Sequence, residues 1–360
     1  MSFETEIVRE GLVEFEVPKE RRLQGPGRKS RLPFYNPLMA TNRDVSVLVA
    51  LAILRGGEEV LDGLTATGIG GIRIATEVEG DFKVLLNDRS EVSHDLVQRN
   101  IERNQLANCT AICEDLNKLL ATQRFDLIDI DPFGTPVPFV EGAVRAIRNG
   151  GVMAATATDT AVLCGARRDA CVRRYDSRPL KTEYCHELGL RILIGYLVRT
   201  AAKFDRGIEP LVSFSIDHYF RTIVRVTRGA ERADSTLEKL RHLHIGPGLE
   251  RKLEREPGRA GPLWGEAFLN QELLDEFRLP DYFPHKVSKL LEIWREEASS
   301  PPLFFTTAEW AKSFSIDPPP INTVIDALTE VGFVATRTHF RSDAFKTNAD
   351  IGFIEAALRT

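Results

Sequence analysis

Phe125-Asp126-Leu127-Ile128-Asp129-Ile130 reads as a buried strand that runs into Asp131-Pro132-Phe133-Gly134. Those last four residues suit one kind of chemistry. The Asp131 carboxylate and the Pro132 carbonyl both accept hydrogen bonds, so together they can hold the two hydrogens of an exocyclic –NH2 on a flat base. Phe133 offers a ring to stack on, and Gly134 lets the backbone turn away. Such a group would orient an aromatic amine to take up a methyl group. The same residues also make an ordinary strand-to-turn transition with an Asp cap, so the motif needs support from the rest of the chain.

The support lies upstream. Asp62-Gly63-Leu64-Thr65-Ala66-Thr67-Gly68-Ile69-Gly70-Gly71 follows a short strand and opens a helix, and small residues there let the backbone approach a ligand. Dinucleotide folds use a similar turn. If Gly68 and Gly70 began a G-x-G-x-x-G, however, its third position would be Arg73, which spoils close helix–strand packing. No G-x-x-x-x-G-K-[ST] loop is present, which argues against NTP hydrolysis. Asp62, Asp88, Asp115 and Asp131 stand at the ends of four successive strands. In an open α/β sheet this puts them along the carboxyl edge, where ligands bind. Asp88 can accept the hydroxyls of a ribose, and Asp115 an adenine amino group.

The elements that position these residues alternate. Strands are expected at 60–62, 84–88, 110–113, 127–131 and 151–158, with helices at 69–77, 90–104, 117–123, 138–147 and 183–203. Two last strands, 210–218 and 222–227, are joined by a short turn. Alternation predicts a mainly parallel sheet covered on both faces, and the final hairpin puts an antiparallel strand at or near its edge. Seven strands so arranged are the Rossmann-like layout of class I S-adenosylmethionine-dependent methyltransferases. Before them come a half-buried strand at 13–17 in a hairpin, a Pro/Gly/basic loop at 18–33, and a helix at 43–55 capped by Asn42. Composition shifts after Gly229, giving domains at 1–229 and 230–360. Within the second, 306–345 reads helix, turn, helix, strand, with Thr307 as a cap, a winged-helix-like α+β order.

With 360 residues and 43 % apolar content the chain can bury full cores, while its net charge of −5 requires any nucleic-acid surface to be local. Two basic groups qualify: Arg21, Arg22, Arg28, Lys29 and Arg31, and Arg167, Arg168, Arg173, Arg174, Arg178 and Lys181. Five cysteines without a C-x-x-C pair predict free thiols rather than disulfides or zinc; Cys109 and Cys113 are spaced to share a helix face but have no matching partners. No stretch reaches the roughly 18 apolar residues of a membrane span. Met1-Ser2-Phe3-Glu4 does not begin a signal peptide, so a cytoplasmic location is expected, with no membrane and no obligate protein partner.

The chain resembles the tRNA (guanine-26-N2)-dimethyltransferases in their archaeal form. The matching stretches are Phe34-Tyr35-Asn36-Pro37, Asn42-Arg43-Asp44, Ala66-Thr67-Gly68-Ile69, Leu86-Asn87-Asp88 and Asp131-Pro132-Phe133-Gly134. They continue with Thr156-Ala157-Thr158-Asp159, Leu163-Cys164-Gly165-Ala166, Asp217-His218-Tyr219-Phe220-Arg221 and Ala335-Thr336-Arg337-Thr338-His339-Phe340. The resemblance implies S-adenosylmethionine as co-substrate and tRNA as partner. It makes Asp131 the catalytic acid, helped by Pro132, with Phe34 and Phe133 flanking the guanine. Arg43, Asp62, Gly68, Asp88 and Asp115 would contact the cofactor, Arg43 through the methionine carboxylate, which a guanidinium pairs bidentately. Arg28, Lys29, Arg31, Arg167, Arg168, Arg173 and Arg174 would hold tRNA. The chain departs from the archaeal pattern at Gly70, where an arginine is common and Arg73 is the candidate replacement. It also lacks a cysteine-rich insert near 240–250, which fits the absence of a metal. The residues alone leave open a methyltransferase acting on DNA adenine or cytosine, and a non-catalytic RNA-binding protein.

Overall fold

The structure, a computed structural model, describes residues 3–19, 32–315 and 317–358. A hairpin opens it, β1 (Thr5–Glu10) and β2 (Val13–Pro18), followed by α1 (Ala40–Ile53). Alternation then begins with β3 (Glu59–Asp62), α2 (Ile69–Glu77), β4 (Lys83–Asn87), α3 (Glu91–Arg103), β5 (Cys109–Ile112), α4 (Leu116–Thr122) and β6 (Phe125–Ile130). It continues through α5 (Val137–Ala146), β7 (Ile147–Ala157), α6 (Thr160–Leu163), α7 (Arg168–Tyr175), α8 (Cys185–Ala202), β8 (Arg206–Ile216) and β9 (Tyr219–Arg228). The C-terminal part holds α9 (Ala230–Leu237), β10 (Leu240–Ile245), β11 (Arg251–Glu254), β12 (Ala260–Trp264), α10 (Gln271–Glu276) and α11 (His285–Glu297). Last come β13 (Phe305–Thr306), α12 (Thr307–Phe314), α13 (Ile321–Glu330), β14 (Ala335–Thr338), β15 (Arg341–Thr347) and α14 (Ile351–Leu358).

The seven-stranded sheet runs β5-β4-β3-β6-β7-β9-β8. Its first five strands are parallel, and β9 enters antiparallel between β7 and β8. This is the expected class I methyltransferase order. From Gly151 to Ala157 β7 buries every residue, and β6 leaves only Asp126 and Asp129 partly open, as strands covered on both faces do. One apolar core holds α4, α5 and α8 against the sheet, and a second holds the β1–β2 hairpin, α2 and α3.

Gly71 sets the spacing of α2 over the sheet. A Cβ there would stand 2.2 Å from Leu86 Cδ2 and 3.1 Å from Val84 Cγ1. The tight helix–strand contact is therefore made at Gly71 and does not involve position 73. Gly71→Ala is expected to cost about 1–3 kcal/mol through overpacking, read as a lowered denaturation midpoint with an unchanged denaturant slope.

Apolar packing continues across residue 229. Leu243, Leu263, Trp264, Leu274, Trp294 and Phe304 belong to the same apolar core as the sheet. A distinct small core begins at Phe305 and includes Trp310, Val324, Leu328 and Phe345. That last unit has the winged-helix order of two helices and a hairpin, its short β13 pairing with β15. Two local expectations shift. The cap of α12 is Thr306, whose side chain accepts from the Glu309 N–H. The single strand expected at the end of 306–345 is instead a hairpin, β14–β15.

Buried charge joins this unit to the methyltransferase fold. Lys346 Nζ on β15 lies 3.2 Å from Glu187 on α8 and 3.1 Å from Glu297 on α11. Glu187 also takes the Arg191 guanidinium and the backbone N–H groups of Leu303 and Phe304. Glu297 accepts from Thr338 and His339. Burial alone would raise the Glu297 carboxyl, but the charges of His339 and Lys346 and its hydrogen bonds outweigh it and hold the group far below the usual range. No helix among the described residues is long and apolar enough to cross a membrane.

Candidate active site

The carboxyl ends of β3, β4, β5 and β6 open on a cavity of about 810 Å³, within the range of ligand sites. Asp62, Asp88, Asp115 and Asp131 all line it, together with Gly70, Pro132, Phe133, Phe34, Asn42, Arg43 and Tyr219. The sequence placed these acids along one edge, and the structure brings them around one space.

The loop after β3 is built for close approach. Gly68 caps α2 at φ +85°, a conformation that favours glycine. Asp62 Oδ2 accepts from the Thr65 hydroxyl at 2.8 Å and the Gly71 N–H at 3.0 Å, so this acid spends one oxygen holding the loop itself. Asp88 accepts from the N–H groups of Ser90 and Ala66, and Asp115 caps α4 by accepting from Asn117 and Lys118. A carboxylate has about four lone-pair sites, so Asp88 and Asp115 keep capacity for a ribose and an adenine. Size, small residues and acceptor set together fit a bound adenosyl group.

Asp129 and Asp131 are two residues apart and point to the same face, and Asp129 is the lateral partner of Asp62 in the sheet. Three acids thus crowd one place. Burial, then the charge of Asp129, pushes Asp62 up to about 7. Burial also pushes Asp131 up to about 6, with Asp129 adding to it and Arg221 opposing. The opposing charge is well placed. Arg221, fully buried on β9, donates to both oxygens of Asp129 at 2.7 and 2.6 Å, to Thr156 Oγ1 at 2.7 Å and to Ser46 Oγ at 2.8 Å.

The turn after β6 is pinned from the other side. Gly134 sits at φ +86°; its N–H donates to Thr158 Oγ1, and its carbonyl accepts from the Thr158 N–H. Thr135 donates to the Tyr175 hydroxyl, which donates to Asp159. Phe133 is 39 % exposed and meets Phe34 edge to face, with ring centroids 4.8 Å apart. That spacing leaves no room for a base between the rings, so a base stacked between them requires the rings to part.

The sequence profile of the family described as N2,N2-dimethylguanosine tRNA methyltransferase matches residues 11–359. The tRNA (guanine(26)-N(2))-dimethyltransferase of Thermococcus kodakarensis is 39 % identical, over 98 % of this chain and 98 % of that protein. The enzyme of the same name from Pyrococcus furiosus is 38 % identical, over 97 % of each chain. The solved structure of Trm1 from Pyrococcus horikoshii with S-adenosyl-L-methionine superposes with a TM-score of 0.87 at 35 % identity, covering 98 % of this chain and 99 % of that one. This chain belongs to the N2,N2-dimethylguanosine tRNA methyltransferase family.

Within that family frame several residues stand differently from expectation. Arg43 lines the cavity, but Nε and Nη2 donate to the two oxygens of Glu10, each at 2.7 Å. The forked edge expected to grip the methionine carboxylate is closed on a protein carboxylate. Arg73 cannot replace an arginine at position 70. It is fully buried and bound to Glu77, Asp44 and Glu10. Asn42 does not cap α1, which begins two residues earlier; its Nδ2 instead donates to Asp131 Oδ2 at 3.3 Å.

Arg167, Arg168, Arg173 and Arg174 are exposed on or beside α7, and Arg174 donates to Asp159. Arg28, Lys29 and Arg31 lie outside the described residues. Cys109 falls on β5, so it and Cys113 share no helix. Among the described residues Cys164, Cys185 and His186 bring their ligating atoms within 4.8 Å of one another, away from the cavity lining.

Asp129, Arg221, Asn42 and Tyr219 were not singled out from sequence as site residues. A signal existed for two of them: an acid and an arginine inside otherwise apolar strands, Leu-Ile-Asp-Ile and Tyr-Phe-Arg-Thr-Ile-Val, require buried partners.

Proposed function

We propose that this chain transfers methyl groups from S-adenosylmethionine to N2 of guanine 26 in tRNA, forming N2-methyl- and then N2,N2-dimethylguanosine. The observation that carries this reading is the position of Asp131 and Pro132, an acceptor pair for an amino group, on the same cavity as the Asp62, Asp88 and Asp115 strand ends. The activity for which the family is named agrees with it. S-adenosylmethionine, when bound, supplies the methyl as an electrophile on sulfur.

The chain's own residues do the rest. Asp88 accepts the ribose hydroxyls and Asp115 the adenine amino group, while Gly70 admits the ligand close to the backbone and Gly68, which faces Ile72 and Val97 and does not line the cavity, shapes the turn. Guanine N2 is a poor nucleophile because its lone pair is delocalised into the ring. Asp131 and the Pro132 carbonyl accept its two hydrogens, pyramidalise the nitrogen and aim the lone pair. Most of the rate comes from this positioning in a cavity shielded from water. The proton leaves late and passes to Asp131. The base leaves its stack to reach the cavity, and Phe34 and Phe133 replace part of the lost stacking, at about 1–3 kcal/mol for each ring.

The exposed arginines of α7 and the C-terminal unit hold the tRNA by backbone and shape contacts. The protein then works in the cytoplasm, where tRNA is found.

The test is methyl transfer to unmodified tRNA followed by nucleoside digestion and mass spectrometry. N2-methylated guanosines from the guanine-26 tRNA, absent when position 26 is adenosine, are the expected result. Methylated adenosine or cytidine would overturn the base assignment and leave the cofactor assignment standing. Transfer to DNA in place of tRNA would favour the DNA-directed reading.

A further inference from the structure

Two polar atoms beside Asp131 are unexplained by the mechanism above. Asn42 Oδ1 and the Tyr219 hydroxyl are buried and have no hydrogen-bond partner among the described residues. Asn42 is 3 % exposed and Tyr219 2 %, and both side chains line the cavity. A buried polar group left unpaired costs about 1–3 kcal/mol, so two of them beside one carboxylate call for a ligand that pairs them.

The orientation of Asn42 is fixed by its neighbour. Ionised Asp131 only accepts, so the amide turns its NH2 to Oδ2, at 3.3 Å, and presents Oδ1 as an acceptor next to the carboxylate. Turning the amide over would set its oxygen against the carboxylate. The site therefore offers adjacent acceptors, Asp131 and then Asn42. Tyr219 adds a hydroxyl that burial keeps protonated. Guanine carries a matching series along its Watson–Crick edge: the N2 amino donor, the N1–H donor and the O6 acceptor. Adenine has an acceptor at N1 and a donor at C6.

We infer that Asn42 and Tyr219 select guanine, Asn42 Oδ1 accepting from N1–H and the Tyr219 hydroxyl donating to O6. This rests on the proposed function and deepens it. After the first transfer N2 keeps one hydrogen, so its hold on Asp131 and Pro132 weakens. N1–H and O6 are unchanged by methylation at N2. The two contacts thus keep the base in register for the second methyl.

The test uses tRNA carrying either guanine or 2,6-diaminopurine at position 26. Diaminopurine keeps the 2-amino group, replaces N1–H by a lone pair and replaces O6 by an amino group. The wild-type chain should prefer guanine by roughly 5–10²-fold in kcat/KM, the cost of Asn42 Oδ1 left facing the N1 lone pair. Asn42→Ala should remove most of that preference. Tyr219→Phe, which removes a single oxygen, should raise KM for the guanine tRNA and shrink the ratio less, since a hydroxyl can rotate to accept. Calorimetric binding of S-adenosylhomocysteine, unchanged in both variants, reports that they fold.

A role confined to supporting Asp131 would slow both substrates alike and leave the ratio intact. That outcome, or equal use of the two tRNAs by the wild type, overturns the inference. A wild type inactive on the guanine tRNA overturns the proposed function, and this inference with it.

Discussion

Asp131→Ala abolishes methyl transfer and leaves S-adenosylmethionine binding close to that of the unchanged chain. The expectation follows from where the carboxylate sits. The end of the cavity proposed for the adenosyl group holds Asp62, Asp88, Asp115 and the loop after β3, whose hydrogen bonds run within the loop and to backbone groups. Asp131 makes none of those bonds; it accepts instead from Asn42. In the proposed mechanism its loss removes the acceptor that orients N2 and takes its proton, an expected effect of roughly 10²–10⁴-fold in kcat. Single-turnover transfer to guanine-26 tRNA, with cofactor affinity by calorimetry, separates the two quantities. Equal loss of turnover and of cofactor binding would sink the assignment. Asp131→Asn is the sharper variant: it keeps the shape but cannot take the proton.

Arg221→Met has the second large effect, and it acts on both stability and pH dependence. The guanidinium is the charge that lets Asp129 and Asp131 coexist beneath the cavity. Its removal leaves the half-buried Asp129 carboxylate without its bidentate partner, an expected cost of about 1–3 kcal/mol.

Activity carries the second signature. Asp131 must be ionised to accept from N2, and its pKa stands at about 6 with Arg221 lowering it. The unchanged chain should therefore gain activity as pH rises through about 6. Without Arg221 that rising limb moves to higher pH. The stability consequence has the opposite slope. Asp62 and Asp131 are raised above their ordinary 3.8, to about 7 and about 6, so folding favours their protonated forms. The stability they contribute is complete at acid pH and is lost as pH climbs from the ordinary carboxylate range through those values, levelling off above. A pH–rate profile of Arg221→Met superposable on that of the unchanged chain would refute this account.

The parts of the molecule legible in the sequence are those governed by local rules. Alternating strands and helices gave the sheet, and an acid at each strand end gave one edge of the cavity, because parallel topology forces those ends together. Features that depend on packing between distant segments were hidden. Asn42 looked like a helix cap because Asn is a good one, and only the fold shows the helix starting earlier and the amide reaching Asp131. Arg43 looked free to bind a carboxylate, but Glu10 lies 33 residues before it, on a hairpin whose docking cannot be read from its alternation. Arg73 seemed near enough to serve the loop, yet its side chain points to the buried acids between α1 and α2. The change of composition after Gly229 marks the end of the sheet but not the end of its core, since apolar residues beyond it return to pack on α8.

Lys346, Glu187 and Glu297 bear on how such a chain can be inherited. A carboxylate on the catalytic half, one on the middle segment and an ammonium on the last unit are buried together. Taken alone, the last unit would carry the Lys346 ammonium bare, while Glu187 would keep only Arg191. The C-terminal unit is thus poorly suited to exchange as a cassette between unrelated methyltransferases. A recombinant that joined it to a foreign sheet would need all three ionic residues, in register, at the moment of joining.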